Sequence, residues 1–159
     1  MGRMKKLLAV LLIATMAFVM TGCSTEEGGG DDKGGDKKVI GVSLMTLQYE
    51  FFQDIKAGIE KAAGDDYEIV FNDPNMDLQA QIDAIENFCA QKVDAIILTC
   101  VDGEGIIPAL DTCEEADIPV ITVDYKPSGG KYETYIGSDN FLGGQLAAKW
   151  ALKNVLDGN

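Results

Sequence analysis

The sequence contains no histidine anywhere in its 159 residues. The commonest general base and metal ligand at neutral pH is therefore missing, and with it most hydrolase constellations. An enzyme built on other groups survives this argument but is disfavoured. Basic residues are scarce, 13 Lys and Arg against 26 Asp and Glu, for a net charge of −13. So acidic a chain is a poor partner for nucleic acid, whose phosphates need neutralising. The acidity itself speaks for solubility and names no ligand. No CxxC spacing occurs, so zinc and thioredoxin-type redox chemistry have no support. Neither GxGxxG nor GxxxxGK[ST] follows any apolar run, so no phosphate cradle is present. No cofactor, no metal and no catalytic residue is expected.

What is there begins with Arg3, Lys5 and Lys6, followed by an uncharged apolar run from Leu7 to Met20. The run is too short for a comfortable bilayer span and fits the apolar region of a secretory signal. It ends in Met20-Thr21-Gly22-Cys23-Ser24. That stretch resembles a bacterial lipobox, although Met20 stands where leucine is usual. The resemblance implies cleavage after residue 22 and lipidation of Cys23, with the protein exported and held to the outer face of the cytoplasmic membrane. More than one acyl chain is needed for a stable anchor of this kind. An uncleaved N-terminal helix, or an ordinary signal that leaves Cys23 free, are the alternatives. Residues 23–38 (CSTEEGGGDDKGGDKK) combine glycine and charge and cannot bury a core. They read as a flexible tether, and a glycine-rich coil of about 15 residues spans roughly 20 Å. Three further cysteines follow, Cys89, Cys100 and Cys113. They are either one disulfide with a free thiol or, more plainly, small buried hydrophobes.

Beyond the tether the pattern turns regular. Apolar, β-rich runs occur at Val39–Leu44, Tyr67–Phe71, Val93–Thr99, Pro119–Val123 and Thr134–Gly137. Between them, Phe51, Ile55, Ile59 and Ala62 recur on one helical face; so do Leu78, Ile82, Ile85 and Cys89, and then Ile106, Leu110 and Cys113. The strand runs are continuously apolar and do not alternate, as a sheet covered on both faces requires. The expected fold is α/β, an open, mostly parallel sheet with helices on both faces.

In such sheets ligands sit beyond the carboxyl ends of the strands, where strand order reverses. That rule selects the loops Met45–Phe52, Cys100–Gly105 and Asp124–Gly130. The first carries Thr46, Gln48, Tyr49, Phe51 and Phe52, and the third carries Asp124 and Tyr125. Aromatic faces cover the C–H face of a sugar ring, and one carboxylate accepts from two neighbouring hydroxyls. Phe51 begins the apolar stripe and is expected in the core, which leaves Phe52 as the stacking ring. Asp124 either caps a turn or takes the ligand, and a carboxylate ending this strand favours the ligand. Tyr49 and Tyr125 are pocket residues or surface tyrosines. Thr46 and Gln48 are hydroxyl partners, Asp102 is expected to cap the following helix, and Trp150 is expected in the core.

Val39-Ile40-Gly41-Val42-Ser43, Phe51-Phe52 and Gly58–Ala63 resemble the opening of the ribose/galactose-type (type I) periplasmic binding proteins. Asp94–Ile97, Asp117–Asp124 and Gly137-Ser138-Asp139-Asn140 follow in the family's order. The resemblance implies a sugar-binding, non-enzymatic receptor with two similar α/β domains that close on a monosaccharide or polyol and present it to an ABC transporter permease. It implies that Asp124 takes sugar hydroxyls, that the Phe51-Phe52 pair stacks the ring, and that Ser138, Asp139 and Asn140 carry the crossing into the second domain. Tyr125 stands where ribose-type members have arginine, and Tyr49 where a small amide is frequent. Both departures point to a ligand other than ribose, or a larger or less polar one. On this reading residues 39–137 form the first domain, and 138–159 hold the crossing and the first helix of a truncated second domain. The chain is then an incomplete receptor, a monomer when complete. Weak binding and exposed apolar surface on Phe141–Leu156 are expected. A surface sensor coupled to a membrane kinase would share all these features. A cytosolic repressor is excluded by the export signal and by the lack of a helix-turn-helix before Val39.

Overall fold

The computed structural model describes residues 37–156. The expected signal peptide, the lipidation candidate Cys23 and the tether up to residue 36 lie outside the described residues. Five strands, β1 (Lys38–Ser43), β2 (Tyr67–Asn72), β3 (Ala95–Leu98), β4 (Val120–Val123) and β5 (Thr134–Ile136), form one sheet in the order β2-β1-β3-β4-β5. Every neighbouring pair is parallel, with Ile40 opposite both Ile69 and Ala95, and Ile97 opposite Ile121. The mostly parallel sheet read from the sequence is thus wholly parallel, and each strand lies within two residues of its expected position at either end.

Helices α1 (Glu50–Ala63), α2 (Leu78–Gln91) and α3 (Ile107–Glu115) make the crossovers. The main core lies under α2 and α3, where Ile85, Phe88, Leu110 and Cys113 meet Ile96, Leu98 and Val120. Gly41 is required there, because a Cβ on it would stand 2.6 Å from the Phe88 ring. Side chains alternate along a strand, so Ile40, next to Gly41, faces the other way. On that side Ile40, Ile69 and Ile97 meet Ile59, Ala62 and Ala63 of α1 around an open apolar cleft of about 250 Å³. Both faces of the sheet therefore carry helix, as the continuous apolar runs imply.

Gln81 of α2 is fully buried among this packing. Its Nε2 donates to Ser43 Oγ (3.2 Å) and to the Thr99 carbonyl (3.1 Å), and its Oε1 accepts from the Val101 amide (2.8 Å). One amide side chain thereby ties α2 to the carboxyl ends of β1 and β3, with its own polar atoms satisfied in the interior.

Helix α4 (Asn140–Ala151), which runs on into a π-helical turn at Leu152–Leu156, is different. Every residue from Glu133 to Trp150 is exposed. Phe141, Leu142, Leu146, Val155 and Leu156 lie open, which bears out the exposed apolar surface expected for this segment. Trp150 is 64% exposed, against the expectation of a core position. A tryptophan is buried by what packs on it, and no strand returns against this helix among the described residues. No helix among them is long and apolar enough to cross a membrane.

Candidate functional site

The strand order reverses between β1 and β3: the chain steps from β1 outward to β2, then crosses back past β1 to β3. Loops after β1 and β3 consequently leave the sheet in divergent directions and open a crevice at its carboxyl edge. Two loop pairs flank it. On one side the Met45 carbonyl accepts from the Met76 amide (2.9 Å), and Asp73 Oδ1 accepts from the amides of Leu47 (3.2 Å) and Asn75 (3.0 Å). The Gln48 side-chain amide donates to Asn75 Oδ1, and Gln53 Nε2 donates to the Leu47 carbonyl (2.9 Å). On the other side the Ser128 amide donates to the Gly103 carbonyl (2.8 Å), and Cys100 Sγ donates to the Tyr125 carbonyl (3.4 Å). Burial pushes the Cys100 thiol up to about 11, so it remains a neutral donor.

Thr46, Gln48, Tyr49, Phe51 and Phe52 all stand on the first loop pair or the first turn of α1. Thr46 is buried, and its Oγ1 accepts from the Gln48 amide (3.2 Å), so it shapes the loop from within. Gln48 and Tyr49 are exposed; Tyr49 is the N-cap residue of α1 and makes no side-chain cap bond. The phenylalanine pair reverses the expectation. Phe52 is 7% exposed and Phe51 52%, their rings meeting edge to face at 5.1 Å between centroids. At about 100° per residue, Phe51 and Phe52 lie roughly 40° and 60° to either side of Ile55. The inward face runs through Ile55, Ile59 and Ala63, which places Phe52 inside and turns Phe51 out. Phe51, backed by Phe52, is the ring with an open face.

Asp124 and Tyr125 stand on the second loop pair, beyond β3 from the first group. Asp124 takes a left-handed conformation (φ +64°), which aspartate tolerates better than most residues. Its amide donates to the Ile136 carbonyl (2.8 Å), and its own carbonyl accepts from Tyr135 Oη (2.8 Å). Its backbone groups are thus held by β5, and the residue is half-buried. Tyr125 is exposed. Asp102 departs from its expected role. Its Oδ1 accepts from the amides of Glu104 (3.0 Å) and Gly105 (2.6 Å), closing a turn, while α3 begins later at Ile107 with Ile106 as its N-cap residue. Ser138, Asp139 and Asn140 lead into α4, where Asp139 Oδ1 accepts from the Leu142 amide (2.8 Å) and caps the helix.

Asp73, Asn75 and Tyr135 also hold these loops, beyond the residues read from the sequence. The signal for the first two is Asn72-Asp73-Pro74-Asn75, a dense group of turn residues at the end of a strand. Tyr135 carries no comparable signal, because only the pairing of β4 with β5 brings it under Asp124. Among the described residues no group of histidine, cysteine or carboxylate side chains could hold a metal ion.

Comparison with known proteins agrees with this architecture. Residues 40–158 match the model of the periplasmic binding protein domain. The ribose import binding protein of Bacillus subtilis is 35% identical over 91% of this chain and 49% of its own length. A periplasmic solute binding protein from Actinobacillus succinogenes, solved with bound D-allose, is 32% identical with a TM-score of 0.67, over 74% of this chain and 44% of that one. The binding component of the arabinose ABC transporter from Shewanella, bound to L-arabinofuranose, is 26% identical with a TM-score of 0.70, over 75% and 41%. The chain spans about half the length of the curated relatives it matches. It belongs to the type I periplasmic binding proteins, a family of non-enzymatic solute-binding proteins.

Proposed function

We propose that this protein is an extracytoplasmic solute-binding lipoprotein that captures a monosaccharide or related polyol and delivers it to an ABC transporter. The observation that carries the reading is that the outward Phe51 ring and the half-buried Asp124 both stand on loops at the carboxyl edge of one sheet. A ring face and a carboxylate are the two groups a sugar's C–H face and vicinal hydroxyls require. Thr46 and Phe52 support the loop, while Gln48, Tyr49 and Tyr125 are available as further contacts. The relatives that bind ribose, D-allose and L-arabinofuranose support a sugar ligand without choosing among pentoses and hexoses. Lipidation at Cys23 would hold the protein at the outer face of the cytoplasmic membrane on its glycine-rich tether. Ser138, Asp139 and Asn140 would carry the chain into a second domain that begins with α4, whose open apolar side chains suit a further packing partner.

Titration of the isotope-labelled chain with ribose, allose, arabinose and myo-inositol tests the binding reading by amide NMR. Saturable shifts at Phe51 and at Asp124–Tyr125 are expected for at least one of them at millimolar concentration. If none of these sugars moves either loop, the sugar-binding assignment is wrong. Cell labelling with a fatty-acid probe tests the anchor, with incorporation expected for the wild type and lost in Cys23→Ser.

A further inference from the structure

Two cysteines that the binding site does not use stand together in the core. Cys89, near the end of α2, and Cys113, near the end of α3, have their sulfur atoms 3.6 Å apart. Both are buried, Cys113 almost completely, within the cluster that joins the two helices to β3 and β4. Each helix leads into the amino end of a strand, so the pair lies at the edge of the sheet opposite the ligand loops. Cys100 sits at the other edge, with its thiol committed to the Tyr125 carbonyl.

We propose that Cys89 and Cys113 form an intrachain disulfide when the chain meets a disulfide oxidant, stapling α2 to α3 behind the ligand-binding edge. The sulfur atoms need approach by only about 1.5 Å to reach a disulfide bond length of about 2.05 Å. The step is thiol–disulfide exchange with an external disulfide. The Cys89 thiolate attacks one of its sulfurs, forming a mixed disulfide and releasing one thiolate. The Cys113 thiolate then attacks the Cys89 sulfur, closing the internal bond and releasing the second. The two protons lost by the cysteines end on the two released thiols, so the oxidant takes up both electrons. Burial and the neighbouring Cys89 sulfur hold the Cys113 thiol well above its ordinary range, so in the packed core it stays protonated and slow to react. Closure therefore belongs to folding, or to transient opening of α3, and not to the closed native state. An exported location, which rests on the proposed function as the chemistry of the pair does not, would supply such oxidants.

The test is refolding of the purified chain in a redox buffer of oxidised and reduced glutathione, followed by acid quenching, maleimide labelling in denaturant and peptide mapping. The expected product is lighter by two hydrogens, links the Cys89 and Cys113 peptides, and leaves Cys100 labelled. Its thermal midpoint should lie roughly 5–15 °C above the reduced form, the gain disappearing on reduction. Cys89→Ala and Cys113→Ala should each abolish the cross-link, and Cys100→Ala should retain it. Labelling of both Cys89 and Cys113 after oxidative refolding would overturn the proposal, as would a cross-link formed mainly to Cys100. Either result leaves sugar binding untouched, because the NMR titration reads the opposite edge of the sheet.

Discussion

Helices α2 and α4 have similar lengths and both carry large apolar side chains, yet their fates differ completely. Helix α2 buries Gln81, Ala84, Ile85, Phe88 and Cys89, whereas α4 buries nothing. Each opens on the same device, an aspartate whose Oδ1 accepts from an amide three residues on, Asp77 to Ala80 and Asp139 to Leu142. Local sequence chemistry makes both segments helical. What separates them is the chain beyond: after α2 it returns to the sheet as β3, and this return presses the helix onto Gly41 and the central strands. Apolarity supplies the capacity for burial, and topology decides whether it is used.

Truncating one aromatic on each helix should give the largest difference between them. Phe88→Ala, at 4% exposure, should lower the unfolding free energy by about 3–5 kcal/mol, through lost transfer and a cavity under Gly41. Trp150→Ala should stay within about 0.5 kcal/mol in the same denaturant titration, as for other exposed positions. Equal losses would mean that α4 is packed in solution.

A second, smaller effect isolates the polar tie. Gln81→Leu keeps the bulk of the side chain but removes the partner of the buried Thr99 carbonyl and of the Val101 amide, while Ser43 Oγ keeps its bond to Asn72 Oδ1 (3.1 Å). An unsatisfied buried group costs about 1–3 kcal/mol, so a loss in that range is expected in chemical denaturation. An unchanged midpoint would show that water replaces the amide there.

The smallest and most discriminating contrast uses the two caps. Asp77→Ala should cost about 1 kcal/mol of global stability. Asp139→Ala removes the same bond but should leave the global transition unmoved and lower only the amide protection of α4. Hydrogen exchange read residue by residue distinguishes the two, because opening of an unpacked helix is uncoupled from global unfolding.

Most of the fold was legible because a buried parallel strand has a plain signature, a short apolar run flanked by turn residues. The runs at Val39–Leu44 and Val93–Thr99 enclose the observed β3 entirely and all of β1 except Lys38. The loops at the carboxyl edge were legible as strand ends, with Asp124 directly after β4. The phenylalanine pair was not, since both residues sit within a helical quarter-turn of Ile55 and only the packed orientation of α1 separates them. Trp150 was misread for a related reason: residue type reports preference for burial, and the partner that would supply it is not encoded in the helix. Asp102 looked like a helix cap because the turn it closes comes directly before α3. Tyr135 was invisible until β5 was paired.

A sugar held by the carboxylate ending β4 requires the dissociation constant of the best-binding sugar to rise in Asp124→Ala relative to wild type. Each hydroxyl bond to an ionised carboxylate contributes roughly 1.5–3 kcal/mol, so losing even one should weaken binding by about tenfold to 150-fold. Binding of the same sugar with an unchanged dissociation constant would contradict the site assigned here.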